Sequence, residues 1–176
     1  DQVPHVYLKN LITGELQTVD IKPDGSPSMG AYFDGGSLAI SEDGRFVAFV
    51  QESQRMEGYD FAQALDFHWY ETELIPGLEV SQGTNIFVRD MLAEPINSIK
   101  LVNTSSDGVP SDDNSTGNIS ISNDGSLVAF TSSASNLVDD LVTTWGDVYT
   151  EANLYVKNIH TGNITVASRP PVGEEI

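Results

Sequence analysis

Apolar residues in this chain come in short runs separated by polar, glycine-containing breaks. Ser37-Leu38-Ala39-Ile40 is followed, across Asp43-Gly44, by the run from Arg45 to Val50. These runs are rich in Val, Ile, Phe and Ala, the composition of half-buried or fully buried strands. A third kind of run alternates: Phe87 stands between Ile86 and Val88, and Tyr155 between Leu154 and Val156. A fourth kind follows it: Leu16 to Val19, Ile99 to Val102, and Ile164 to Ala167. Asp-Gly between the first two runs suits a tight hairpin, because both residues tolerate the positive φ that matches strand twist. Leu11-Ile12-Thr13-Gly14, Ile159-His160-Thr161-Gly162 and the longer Met91 to Asn97 supply the turn between the last two. The pattern predicts a unit of four antiparallel strands in a meander.

The unit recurs. Ile40-Ser41-Glu42-Asp43-Gly44-Arg45-Phe46-Val47-Ala48-Phe49 returns as Ile121-Ser122-Asn123-Asp124-Gly125-Ser126-Leu127-Val128-Ala129-Phe130, an offset of 81 residues from Ser41 to Ser122. The third strand is written three times, as Val6-Tyr7-Leu8-Lys9-Asn10, Ile86-Phe87-Val88-Arg89-Asp90 and Leu154-Tyr155-Val156-Lys157-Asn158. Repetition with drifting spacing marks a repeat architecture with variable loops. Repeated four-stranded meanders most often pack radially as the blades of a β-propeller.

The chain resembles the TolB-type propeller repeat, a relative of the tryptophan–aspartate repeat families. The resemblance is carried by Ser41-Glu42-Asp43-Gly44 and Ser122-Asn123-Asp124-Gly125, by the strands ending in Arg89-Asp90 and Lys157-Asn158, and by Ser135-Asn136-Leu137-Val138. The family often has Asp just before the third strand, where this chain has His5, Asn85 and Asn153. The fold class expected is all-β, about two and a half blades of an incomplete propeller ring. The expected organisation is a half blade plus loop over 1–36, a blade over 37–103 with a long insertion at 51–84, a blade over 118–168, and the start of a linker at 169–176. Propellers usually hold roughly four to eight blades, so the ring would be completed by the remaining blades of a longer polypeptide or of other chains, with an open stack as a third arrangement.

Composition narrows the partners. Twenty-six acidic residues against eight Lys and Arg give a formal charge of −18. Such a field repels nucleic acid and anionic headgroups, while a solvated acidic surface is its simplest meaning. Cysteine is absent, which excludes disulfides, thiol catalysis and thiolate metal sites. No run approaches the ~18 apolar residues of a membrane span. Loops dominated by Asn, Ser, Thr, Asp and Gly point to an extracytoplasmic setting: periplasm, cell surface or secretion.

In a meander, turns alternate between the two ends of the sheet. The short Asp-Gly and Thr-Gly turns therefore share one face, and the long connections (20–36, 51–84, 103–117 and 132–152) share the other. The long connections carry Glu52, Glu57, Asp60, Asp66, Glu71, Glu73, Glu79, Asp107, Asp112, Asp113, Asp139, Asp140, Asp147 and Glu151, opposed by Lys22 and Arg55. Function tends to sit on such loops, held by a rigid scaffold. Two candidates stand out. In the longest connection, Tyr59, Phe61, Phe67, His68, Trp69 and Tyr70 form an aromatic cluster. Phe61, Leu65 and either His68 or Trp69 fall at helical spacing. The cluster either binds a sugar, peptide or protein or caps the propeller and buries itself. The second candidate is the oxygen-rich Asp112, Asp113 and Asn114, with Asp139, Asp140 and Asp147 from the neighbouring loop, as ligands for Ca²⁺. Its spacing is not that of an EF-hand, and acidic loops are commonly just solvated turns.

Catalytic motifs are missing. His68 begins His-x-x-Glu with Glu71 but lacks the second histidine of a zinc-protease helix. No Gly-x-Ser-x-Gly elbow or Gly-rich phosphate loop is present. The leading reading is a non-catalytic binding or scaffolding module that engages a protein or extracellular polymer through its acidic loop face. The resemblance implies the same kind of periplasmic or surface interaction role. The competing reading is the propeller portion of a hydrolase, a peptidase or carbohydrate-active enzyme, with catalytic residues partly outside this chain.

Overall fold

A computed structural model describes residues 4–28, 37–53, 69–81, 83–139 and 152–168. It is all-β. Two four-stranded antiparallel sheets and two hairpins make up the described residues, with a single 3₁₀ turn at Pro95–Asn97. The half blade is β1 (Tyr7–Lys9) paired with β2 (Leu16–Thr18). The next sheet orders β3 (Leu38–Ile40), β4 (Phe46–Ser53), β7 (Gly83–Asp90) and β8 (Ile99–Leu101). The last orders β9 (Ser115–Ile121), β10 (Leu127–Ser132), β11 (Asn153–Asn158) and β12 (Ile164–Val166). Each is the meander that the hydrophobic runs predict, and the unclosed sheets are partial propeller-type blades.

The structure extends two boundaries. Strand β9 begins at Ser115 rather than Asn118. A register shift between Ala129 and Thr131 lets Ser115 and Thr116 pair with Ser132 and Thr131, and the Ser115 and Ser132 hydroxyls lie 2.9 Å apart. Strands β4 and β7 stay paired as far as Ser53 and Gly83, so less of the 51–84 insertion is loop. That insertion contains the hairpin β5 (Trp69–Glu71) and β6 (Glu79–Ser81). Trp69 therefore lies on a strand; Phe61, Leu65 and His68, the other positions of the helical reading, lie outside the described residues.

Strand alternation sends side chains to both faces of the middle sheet. Phe46, Ala48, Val50, Ile86 and Val88 pack with Ile119, Val128, Phe130, Tyr155 and Ile164 of the last blade. Val47, Phe49, Phe87 and Ile99 pack the other way, with Val6, Val19 and Leu74. Each blade stacks a second-strand aromatic on a third-strand aromatic: Phe49 on Phe87 at 5.9 Å, and Phe130 on Tyr155 at 5.8 Å.

The short turns gather at one end. The Glu42 amide donates to Asn123 O across the blades at 3.1 Å, so the two Asp-Gly corners lie side by side. Within a blade, the first turn meets the second through Met91 N to Arg45 O at 2.8 Å and Ile159 N to Ser126 O at 3.0 Å. Arg45 adds a two-pronged ion pair to Asp90, at 2.9 and 2.7 Å. Ser41 and Ser122 each donate a hydroxyl to Asp43 and Asp124 two residues on, both at 2.6 Å. Those hydrogen bonds hold the Asp43 carboxyl below its ordinary value and lower Asp124 from 3.8 to about 2.

The two turn glycines differ in one respect. Both have positive φ, +73° at Gly44 and +71° at Gly125. A Cβ on Gly125 would lie 2.1 Å from Phe46 Cδ2, whereas on Gly44 the nearest atom is Ile40 Cδ1 at 4.0 Å. Gly125→Ala is expected to destabilise the chain by about 2–4 kcal/mol, since overlap with a packed ring adds to backbone strain, and Gly44→Ala by about 1 kcal/mol. Urea unfolding of the two variants tests the difference. Asp124 titrates lower folded than unfolded, so its contribution is present above its unfolded value of 3.8 and is lost as pH falls towards about 2. Melting temperature against pH is therefore expected to fall less steeply between pH 4 and 2 in Asp124→Asn than in the parent.

Candidate functional site

The connections at the end opposite the short turns are built from a repeat of their own. Val19-Asp20, Asp24-Gly25, Pro27 and Ser28 return as Val102-Asn103, Asp107-Gly108, Pro110 and Ser111, each 83 residues later, as Ser28 is to Ser111. Both copies fold alike. Ile21 bridges Pro27 and Thr104 bridges Pro110. The Ser28 amide donates to Asp20 O and the Ser111 amide to Asn103 O, each at 2.9 Å.

At the heart of each connection is a polar clamp on the third strand. Asp20 is fully buried and accepts from the Val6 amide at 2.9 Å, from Ser28 Oγ at 3.0 Å, and pairs with His5 Nδ1 at 2.8 Å. Asn103 takes its place in the next copy. Its Oδ1 accepts from the Ile86 amide at 2.9 Å, and its Nδ2 donates to Asn85 Oδ1 at 2.8 Å and Ser111 Oγ at 2.6 Å. Ser168 is the third version: it accepts from the Leu154 amide at 3.2 Å and donates to Asn153 Oδ1 at 3.0 Å. His5, Asn85 and Asn153 are thus the partners of one recurring clamp that closes the next residue along, Val6, Ile86 or Leu154, onto the chain leaving the fourth strand.

A buried cation ties each blade to the connection before it. The Arg89 guanidinium donates through Nη1 to Thr18 O and, at 3.2 Å, to Val19 O. Lys157 Nζ donates to Thr104 O at 2.9 Å and Ser105 O at 2.8 Å. Burial pushes both groups below their ordinary values; for Arg89 the Asp20 charge opposes that shift. The sequence shows Arg89 and Lys157 as strand-end cations, but nothing in local pattern shows that they reach backward across an interface. The 83-residue repeat of the connections was the available signal for the clamps.

The sequence-predicted candidates fall differently. Tyr59, Phe61, Phe67 and His68 lie outside the described residues, and Trp69 and Tyr70 occupy β5. Of the oxygen-rich set, Asp140 and Asp147 lie outside the described residues. Asp112 is engaged in the loop itself, accepting from the Ser135 amide at 2.8 Å and Ser135 Oγ at 2.6 Å. Asn114 Oδ1 accepts from the Thr84 amide at 3.0 Å, and Asp113 Oδ1 from the Asn114 amide at 2.6 Å. Asp139 is exposed. Among the described residues, no group of three or more His, Asp or Glu is gathered as metal ligands.

No family model matches the chain, and no curated protein matches it. Among solved structures, the chain is similar to the crystal structure of TolB from Acinetobacter baumannii, with a TM-score of 0.42 and 14% identity. The match covers 93% of this chain and 26% of that one. At that distance the propeller reading stands on the strand order, the register and the repeated interfaces described above. No described helix is long and apolar enough to cross a membrane.

The clamps are expected to be structural. Asn103→Ala leaves the buried Ile86 amide without its acceptor and is expected to cost about 1–3 kcal/mol, read as a lower denaturant midpoint. Removal of Asn10, whose carboxamide caps the exposed Ile12 and Thr13 amides at 2.9 and 3.1 Å, should cost under about 1 kcal/mol.

Proposed function

We propose that this chain is a non-catalytic binding module of propeller type, one that engages a basic protein or polymer surface through the end carrying its long connections. The observation that supports this reading is the partition of the connections. The tight, self-bonded turns lie together at one end, and the long connections leave the other. Among the described residues those connections carry exposed Asp24, Glu73, Glu79, Asp107 and Asp139, with Lys22 as the cation. An acidic surface of this kind attracts cationic segments and speeds their encounter. The clamps and buried cations beneath hold the connections on a rigid base. The Asn-, Ser- and Thr-rich loops support an extracytoplasmic location. TolB-like repeats, which the sequence resembles, suit the same setting.

Binding of a deca-lysine peptide to the immobilised chain tests the reading. Affinity is expected to fall with added NaCl. Glu73→Gln, Asp107→Asn and Asp139→Asn together should weaken it about tenfold. The same number of neutralisations at the short-turn end, Glu15→Gln, Glu42→Gln and Glu94→Gln, should change it less than about twofold. Equal losses from the two triples would mean general attraction to net charge and would remove the proposal.

A further inference from the structure

Four of the described turns carry an Asp-Gly pair: Asp24-Gly25, Asp43-Gly44, Asp107-Gly108 and Asp124-Gly125. Asp34-Gly35 lies outside the described residues. In their main chain the four are alike. Each glycine has a φ between +71° and +83°. Each glycine amide donates three residues back, to Lys22 O, Ser41 O, Ser105 O or Ser122 O, at 2.8 to 3.0 Å. All four aspartates are exposed, so access to water does not separate them.

Their carboxylates do differ. Asp24 Oδ1 accepts from the Ser26 amide at 2.9 Å and from Ser26 Oγ at 2.6 Å. Asp43 Oδ1 accepts from the Arg45 amide at 3.0 Å as well as from Ser41 Oγ. Asp124 Oδ1 accepts from the Ser126 amide at 3.0 Å and from the Ser122 and Ser126 hydroxyls. Each of the three is fastened to the amide two residues on, the closure of an Asx turn. A serine hydroxyl is the main cause that holds all three below the ordinary carboxyl value. Asp107 accepts no hydrogen bond from a described residue. The repeat shows why. Val109 stands where the first connection has Ser26, and it brings no hydroxyl. Its amide donates instead to Ser105 Oγ at 3.1 Å, and Ser105 stands in the place of Lys22. Space differs too. A Cβ on Gly125 would overlap Phe46, and one on Gly25 or Gly44 would meet Pro95 Cγ at 3.9 Å or Ile40 Cδ1 at 4.0 Å. At Gly108 nothing lies within 4 Å.

We propose that Asp107-Gly108 is a self-modification site, the pair among these four that converts to isoaspartate in the folded chain. Glycine leaves its nitrogen unshielded by a Cβ, so Gly108 N attacks Asp107 Cγ. The new N–C bond closes a five-membered imide, and a carboxyl oxygen leaves as water with the amide proton and the carboxyl proton. Water then opens the ring. Addition at Cγ restores aspartate, whereas addition at the main-chain carbonyl leaves Gly108 joined through Cγ. Water released and water consumed balance, and no oxidant or reductant takes part. The product keeps its carboxylate but lengthens the main chain by one atom between Ser105 and Val109. Lys157 Nζ holds that turn through Ser105 O at 2.8 Å, so the change bears on the connection that the last blade grips. The reaction is independent of the binding proposed above.

Ageing of the full chain in mildly acidic buffer, beside a sample kept in guanidinium chloride, tests the assignment. Peptide mapping with electron-transfer fragmentation separates isoaspartate from aspartate at each pair. In the folded chain Asp107 is expected to convert at least about tenfold faster than Asp24, Asp43 or Asp124, because its carboxyl has no hydrogen bond to give up before attack. In denaturant the turns are lost, and the four rates should agree within about threefold. Ser105→Ala together with Val109→Ser frees the amide and supplies the hydroxyl of the first connection. That double variant should slow conversion at Asp107 at least about fivefold. A folded-chain rate at Asp107 no higher than at the other three would overturn the proposal. The same ranking in denaturant as in the fold would overturn it too, since sequence rather than structure would then set the rate. So would an unchanged rate in a double variant whose unfolding curve matches the parent's.

Discussion

A four-stranded meander of this sequence has two apolar faces and can cover neither alone. Phe46, Ala48 and Val50 alternate with Val47 and Phe49 along one strand, and all five are buried. Full burial of a large apolar side chain is worth about 1.5–3 kcal/mol. A face holding Phe46, Val50, Ile86 and Val88 therefore outweighs any single polar contact in the structure. The sheet must be sandwiched, and face-to-face stacking of successive copies satisfies that need. The same positions show the effect where a neighbour is absent among the described residues. Leu127 and Leu154 occupy in the last blade the places of Phe46 and Ile86 and are exposed. Leu16 is 59% exposed where its counterparts Ile99 and Ile164 are 9% and 7%.

Apolar stacking is non-directional and does not fix how far one blade slides over the next. The polar groups of the interface do. Arg89 and Lys157 place a cation on backbone carbonyls of the preceding connection, contacts that a displaced register would break. Each connection is in turn closed onto the third strand by Asp20, Asn103 or Ser168. Burying these groups carries a desolvation cost that hydrogen bonds offset. They are poor sources of net stability and good specifiers of alignment.

Much of this was legible in the sequence because it is local or repeated. The Asp-Gly corners, the alternating third strand and the fourth run predict the four-strand order, since hairpins join neighbours. The β1 strand was legible too, from Val6-Tyr7-Leu8-Lys9-Asn10 repeating the pattern of Ile86 to Asp90 and Leu154 to Asn158. The β5–β6 hairpin was not: Trp69-Tyr70-Glu71 is too short for its period to outvote the helical spacing of Phe61 and Leu65. Strand β9 reached further than read because its bulge breaks simple alternation at Thr116 and Gly117. The clamps were hidden for another reason. Asp20, Asn103 and Ser168 differ in identity while making the same contact, so composition alone reads them as loop polarity. Asp112 illustrates the converse, an acidic residue in an oxygen-rich loop whose carboxylate closes the loop on Ser135.

The three clamps also differ in charge. At the second interface two complete sheets meet, and Asn103 beside Lys157 adds no formal negative charge. At the first, the described residues of the β1–β2 pair that join the core are Val6, Val19 and Leu8. There the clamp is a carboxylate, Asp20, paired with His5 and acting on Arg89 from the middle blade. A buried cation alone is costly, and Arg89 Nε has no hydrogen-bond partner among the described residues; a buried carboxylate nearby reduces that cost. The first interface is thus the one that carries opposite charges. Exchange of Asp20 for the neutral Asn of the second copy would remove that balance and leave the Arg89 cation buried without a nearby carboxylate.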